Sequence, residues 1–130
     1  MTARKAQSSF EFVLLVGAAF AAAIIFLFAS ADDMKDLIYK REHLFLKEQG
    51  DRIAQEISLA VRVEDGYRRS FLVPEKIDNK EYGIVMSNRT LTLTSDHTTY
   101  ILRVPRIEGS VAKGWNNITR EDGTVRLNNG

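Results

Sequence analysis

Between Phe12 and Ala29 the chain carries no charged and no strongly polar side chain, and no other stretch restricts its folding so severely. These 18 residues, at a rise of about 1.5 Å each, cover roughly 27 Å as a helix, close to the hydrocarbon thickness of a bilayer. In lipid a helix satisfies all of its own backbone hydrogen bonds, so the run can span a membrane. Arg4 and Lys5 precede the run, and Asp32, Asp33 and Asp36 follow it. The positive-inside rule therefore places the amino terminus in the cytoplasm and the residues beyond 31 outside. One carboxylate, Glu11, stands at the mouth of the run. An ionisable group there is costly without a partner, which singles it out as functional. The simpler alternative is a headgroup-level residue that snorkels to water.

Composition narrows the function classes. A chain of 130 residues leaves one domain of modest core beyond the helix, and a net charge of +1 offers no basic stripe for nucleic acid or anionic lipid. With no cysteine there are no disulfides and no thiolate metal sites. The two histidines, His43 and His97, have no His-x-x-x-His spacing and no dense carboxylate cluster to complete a metal site, and are read as surface residues. No nucleophile elbow and no phosphate-binding glycine loop occurs, so the expectation is a non-enzyme without a cofactor.

The residues before the apolar run carry a resemblance. Arg4-Lys5 followed by Ala6-Gln7-Ser8-Ser9-Phe10-Glu11-Phe12 resembles the archaeal class III signal peptide of type IV pilin-like proteins, in which a prepilin peptidase cuts a charged leader after a small residue. The resemblance implies cleavage between Ala6 and Gln7, with the hydrophobic helix retained as the core of a filament. Loss of Arg4 and Lys5 would take the net charge from +1 to +1 − 2 = −1. Glu11 would become the fifth residue of the mature chain, and the resemblance implies that it pairs with the new amino terminus, Gln7, of a neighbouring copy. Such a pair offsets a desolvation cost that neither ion could bear alone. A departure accompanies the match: an amino-terminal Gln can cyclise and lose its charge, and bacterial relatives usually carry Phe there. The implied partners are copies of the same chain in a helical filament, the peptidase and assembly machinery, and the membrane before assembly; nucleic acid is not an expected ligand. The implied location is the membrane, amino terminus in and carboxyl terminus out, and then the extracellular filament, with adhesion as the expected role.

Two other readings fit parts of the pattern. Ala29-Ser30-Ala31 is an acceptable signal-peptidase site that would release a soluble protein starting at Asp32, although the apolar run is long for such a leader. A single-pass anchor carrying an extracellular binding module, or a minor pilin at a filament tip, accounts for the length without a filament shaft.

Within the run Gly17 and Ala21, and Ala18 and Ala22, lie four residues apart, so small side chains share a helical face and admit a second helix. Alanines are also simply frequent in spanning helices. Beyond residue 31 the spacing of Met34, Leu37, Ile38, Leu44, Phe45, Ile53, Ile57, Ala60 and Val61 predicts an amphipathic continuation to about residue 63, with Asp36–Lys40 and Glu48–Arg52 as i, i+4 pairs on its wet face. Gly50 interrupts it and is read as a bend, and Gly66 as the helix end.

Strands are predicted at Tyr67–Val73, Tyr82–Ser87, Thr90–Thr94, Thr99–Val104 and Thr124–Leu127, with turns at 87–89, 96–98 and 121–123. The predicted fold class is thus α+β: a leader (1–6), a transmembrane or filament-core helix (7–31), its amphipathic continuation (32–63) and a small antiparallel β domain (64–130) packed on the outer half of the helix, the lollipop of the pilins. Tyr67, Tyr82, Tyr100 and Trp115 could make an adhesive patch, but in a small sheet they are read as core. Two N-glycosylation acceptors occur, Asn88-Arg89-Thr90 and Asn117-Ile118-Thr119, both placed in turns or at strand ends of a domain that should face outside.

Overall fold

The computed structural model describes residues 2–128, so Met1 of the expected leader and Asn129 and Gly130 of the expected β domain lie outside the described residues. The fold is α+β: one helix, α1 (Thr2–Arg62), is followed by β1 (Arg68–Val73), β2 (Gly83–Ser87), β3 (Thr90–Thr94), β4 (Thr99–Arg103), β5 (Glu108–Gly109), β6 (Gly114–Glu121) and β7 (Thr124–Leu127). Neither proline precedes position 74, so nothing removes a hydrogen bond from the helix interior. The residues group into two compact units, Met1–Ile38 and Tyr39–Gly130.

In the second unit the helical segment from Tyr39 and the strands share one core. Leu46, Ile53, Ile57 and Ala60 are buried there with Phe71, Val73, Leu91, Leu93, Ile118, Val125 and Leu127. The buried stripe runs through Glu42, Leu46, Gln49, Gly50, Ile53, Ile57 and Ala60. This corrects the expected face, because Leu44 and Val61 stay 63% and 37% exposed. The stripe contains a carboxylate, an amide and a glycine, which hydropathy alone assigns to the wet side. Arg52 likewise does not serve Glu48: its Nη2 donates to Leu72 O at 2.5 Å, tying the helix to β1.

Gly50 is no bend, since helix runs through it; a Cβ there would lie 3.0 Å from the Tyr100 ring and 3.1 Å from Leu102 Cδ2. Its bare backbone lets β4 lie close against α1. The helix ends at Arg62, and Gly66 adopts φ 95° in the turn that follows rather than in a cap. Val61 O, one of the orphan carbonyls of the last turn, accepts from Arg120 Nη1, and Arg120 Nε reaches Asp65 Oδ1 at 3.2 Å.

The strands form two sheets rather than one. β2-β3-β4 is an antiparallel meander, and β1-β6-β7-β5 is antiparallel except for the parallel pair β5·β7. In β3 the strict alternation of Thr90-Leu91-Thr92-Leu93-Thr94 puts both leucines into the core, as its period of two requires. The β2–β3 loop is a two-residue turn with Asn88 at φ 49° and Arg89 at φ 69°, and Asp122-Gly123 repeats this between β6 and β7 with φ 50° and 73°. Positive φ at both central residues matches the right-handed strand twist. Strand β6 has no counterpart in the sequence-based expectation. Its segment Gly114-Trp115-Asn116-Asn117 looks like a loop because the residue it buries is an amide, Asn116, fully shielded from solvent.

Candidate functional site

The amino-terminal unit is one helical surface. Ala6, Gln7 and Glu11 lie in unbroken helix, and Gln7 Nε2 donates to Glu11 Oε1 at 3.4 Å, one turn away. The sequence-predicted pair is thus already adjacent within one chain, through the Gln7 side chain rather than its backbone nitrogen. Gly17 and Ala21, and Ala18 and Ala22, lie one turn apart on exposed helix, and a Cβ built on Gly17 would meet nothing within 4 Å. Phe10, Phe12, Val13, Leu14, Leu15, Phe20 and Ile24–Phe28 each keep more than half of their surface exposed. By length and composition this helix can cross a membrane.

In the second unit the most structured polar cluster surrounds Glu42. Its side chain is only 7% exposed, and it accepts from Ser95 Oγ at 3.1 Å, lies 3.1 Å from His97 Nδ1 and meets Lys80 Nζ at 3.4 Å. Burial pushes this carboxyl upward, but the hydrogen bonds from His97, Ser95 and Lys80 and the His97 charge outweigh burial, and its pKa falls below the usual 4.5. His43 Nδ1 lies 3.0 Å from Thr98 Oγ1, so both histidines, exposed as expected, also hold the Ser95–Thr98 turn. Tyr100 OH donates to Asp51 Oδ1 at 2.8 Å; that bond, then burial, then the Asp51 charge raise the phenol's pKa. Ser95, His97, Thr98 and Tyr100 tie α1 to the β3–β4 hairpin, and Lys80 ties it to the β1–β2 connection. Among the described residues no three His, Asp or Glu side chains gather to hold a metal ion.

The outer face of the β1-β6-β7 sheet differs in kind. Alternation along β6 turns Trp115, Asn117 and Thr119 outward, opposite Leu72, Ser70 and Arg68 of β1. Trp115 is 72% exposed and so does not belong to the core, whereas Tyr82 is buried and Tyr67 and Tyr100 pack against the core. The two acceptor asparagines are separated: Asn88 sits at the β2–β3 turn as expected, but Asn117 lies inside β6 rather than at a turn.

No family model matches this chain, and no curated protein or solved structure matches it either. Function therefore has to be read from its own residues. Sequence reasoning missed Glu42, Asn116 and Arg120. The missing signal for all three was three-dimensional: a helix residue whose partners lie at 80, 95 and 97, a strand amide that serves residues 112–114, and a strand arginine at a helix end.

Proposed function

We propose that the chain is a subunit of a surface filament of the type IV pilus class, made as a membrane-bound precursor, cut between Ala6 and Gln7, and assembled through its amino-terminal helix, with adhesion as the role of the filament. The observation that carries this reading is the sequence Arg4-Lys5-Ala6-Gln7-Ser8-Ser9-Phe10-Glu11-Phe12 at the head of a helix whose large apolar side chains between Phe10 and Phe28 are mostly exposed. The helical surface supports it through open space around Gly17 and neighbouring alanines, where a second helix can approach. The β domain, on this reading, faces outside and forms the filament wall.

The roles of Glu11 divide cleanly by substitution. Glu11→Gln keeps an acceptor for Gln7 Nε2 but removes the charge, whereas Glu11→Ala removes both. If the carboxylate pairs with a neighbour's amino terminus, both variants are cut normally and neither appears in sheared surface filaments. Assembly by E11Q at the wild-type level would reduce Glu11 to an intrahelical contact. Mass spectrometry of the mature amino terminus tests the reading as a whole. A start at Gln7, intact or cyclised, supports it; a start at Asp32, or an uncut Met1 or Thr2, overturns it.

A further inference from the structure

Trp115 is the chain's only tryptophan, and it stands 72% exposed on a strand whose next outward residue is an N-glycosylation acceptor. An indole exposed on a regular sheet face offers a large, flat apolar surface with a polar edge on which a ring can stack. The adjacent apolar area is small, with Leu72, 44% exposed, directly opposite in the β1–β6 register. Two side chains of this kind fall well short of the roughly 800 Å² per partner that a stable protein interface buries. The cations of the face are already neutralised: Arg68 Nη2 lies 3.2 Å from Glu121 Oε1, and Arg126 Nε lies 3.1 Å from Glu108 Oε2. A face without net charge suits an uncharged polyhydroxyl group better than an anion.

The sequence Trp115-Asn116-Asn117-Ile118-Thr119 supplies such a group in place. With a period of two, Trp115, Asn117 and Thr119 share one face at spacings of about 7 Å. Asn117 Oδ1 accepts from Ser70 Oγ at 2.6 Å, and among the described residues Nδ2 has no hydrogen-bond partner. Ser70 thereby fixes the amide plane and leaves the nitrogen that would carry a sugar unengaged. Beside it a concavity of about 500 Å³ is lined by Arg68, Ser70, Asn117, Thr119 and Asn128 among others, so folded chain leaves room for a saccharide. Asn88 lacks this setting: it sits in the tight β2–β3 turn at φ 49°, and Met86, two residues before it, packs against the core.

We propose that Asn117 carries an N-linked saccharide whose first ring stacks on the Trp115 indole, making the sugar part of the folded sheet rather than a solvated appendage. This rests on the reading that the β domain faces outside. The donor is an oligosaccharide linked through phosphate to a membrane lipid, and an external transferase moves it. The bond formed joins sugar C1 to Asn117 Nδ2, the bond broken joins C1 to the phosphate oxygen, the lipid phosphate leaves, and a base on the transferase takes the amide proton; nothing is oxidised or reduced. Transfer precedes closure of the sheet, because β6 lies between β1 and β7 and the Asn117 backbone is paired with Asn128 in the folded state, N to Oδ1 at 2.9 Å and O from N at 2.8 Å.

The test uses the full chain expressed in a host that N-glycosylates exported proteins, with glycopeptide mass spectrometry, protease accessibility on intact cells, and thermal unfolding in detergent micelles. Asn117 should be occupied, and loss of the sugar in Asn117→Gln or in Thr119→Ala, which keeps the Ser70 contact, should lower the folded-to-unfolded ratio roughly two- to tenfold, the scale of one stacked-ring contact. Trp115→Ala should cause a similar loss in the glycosylated chain and almost none in the T119A background. Sugar at Asn88 with none at Asn117 overturns the proposal while leaving the topology intact. Occupied Asn117 with W115A equally harmless in both backgrounds overturns the stacking. An unoccupied Asn117 in a chain whose β domain resists external protease overturns the outside placement and the proposal together.

Discussion

Gly50 offers the sharpest test of how α1 and the strands fit. In an isolated helix Gly→Ala stabilises by about 1 kcal/mol, through lower backbone entropy in the unfolded chain and better propensity. At position 50 the added methyl would sit 3.0 Å from Tyr100 Cδ1 and Cε1 and 3.1 Å from Leu102 Cδ2, so the neighbours must yield by a few tenths of an ångström. Leu102 can turn its tip away. Tyr100 has less freedom, because its hydroxyl is held by Asp51 at 2.8 Å and His43 stands edge-on at 6.0 Å between centroids. Overpacking of this kind costs ~1–3 kcal/mol, so Gly50→Ala should be net destabilising by ~0–2 kcal/mol, with a Tm drop of about 4–8 °C for each kcal/mol. In a Tyr100→Ala background the main obstacle is gone and the same substitution should stabilise by about 1 kcal/mol, a coupling of ~1–3 kcal/mol in the double-mutant cycle. Thermal unfolding of the full chain in micelles, followed by circular dichroism, reads both numbers. A G50A variant that gains the full propensity term in the wild-type background, or behaves alike in both, would refute the close approach.

Glu42 sets an acid limit on stability. Its folded pKa is lowered, so its contribution is complete above its usual pKa of 4.5 and is lost as pH falls through the lower folded value. Below about pH 4.5 the wild type should lose Tm faster than Glu42→Gln, and the two curves should converge in strong acid; parallel curves would contradict the assignment. At neutral pH E42Q should cost ~1–3 kcal/mol, moderated because Lys80 and His97 can turn to water. Asn116 accepts from Ala112 N at 2.8 Å and Asn128 Nδ2 at 2.7 Å, and donates to Ala112 O at 2.7 Å and Gly114 O at 2.9 Å. Asn116→Ala should therefore destabilise by ~2–4 kcal/mol by stranding buried backbone groups, and Asn116→Asp by at least as much, since a carboxylate would face both carbonyls. Equal stability of all three chains would remove the amide from its structural role.

The parts of this fold that were legible in the sequence are those governed by local periodicity. The uninterrupted run from Phe12 to Ala29 and the alternation of Thr90–Thr94 each admit one regular structure, and the turns at 88–89 and 122–123 follow from Asn88, Asp122 and Gly123, residue types that tolerate positive φ. What escaped was polar and non-local. Glu42 looks like wet-face charge until the partners from residues 80, 95 and 97 are beside it, Gly50 looks like a breaker until Tyr100 lies on it, and β6 looks like a loop until Asn116 is seen to bind the chain before it. Trp115 erred in the other direction: an aromatic in a short sheet is ordinarily core, and only the register with Leu72, Ser70 and Arg68 turns it outward. The amino-terminal residues are a separate case, since Gln7, Glu11 and the small residues were legible as a pattern, while the pairing proposed for them involves a second copy of the chain.

Assembly, on the proposed reading, needs a driving force. Burying a large apolar side chain that stands in water is worth ~1.5–3 kcal/mol, so the exposed set from Phe10 to Phe28 carries a driving force comparable to the whole stability of a small domain. Yet that force decides only that the segment leaves water. Lipid tails are as apolar as leucine, so moving the same side chains from a bilayer to the flank of a neighbouring helix changes little hydrophobic free energy. The choice between membrane and filament, on the proposed reading, must rest on what lipid cannot supply. Close backbone approach at Gly17, Ala18, Ala21 and Ala22 gains dispersion contacts that fluid tails match poorly. A cationic amino terminus beside Glu11 answers a carboxylate that hydrocarbon would leave unpaired. Cleavage before Gln7, as proposed, would create this cation and also remove Arg4 and Lys5, the charges that would hold the precursor's end in the cytoplasm. Processing would thus make the filament state favourable and the membrane state less so in a single cut, without any change in the apolar surface itself.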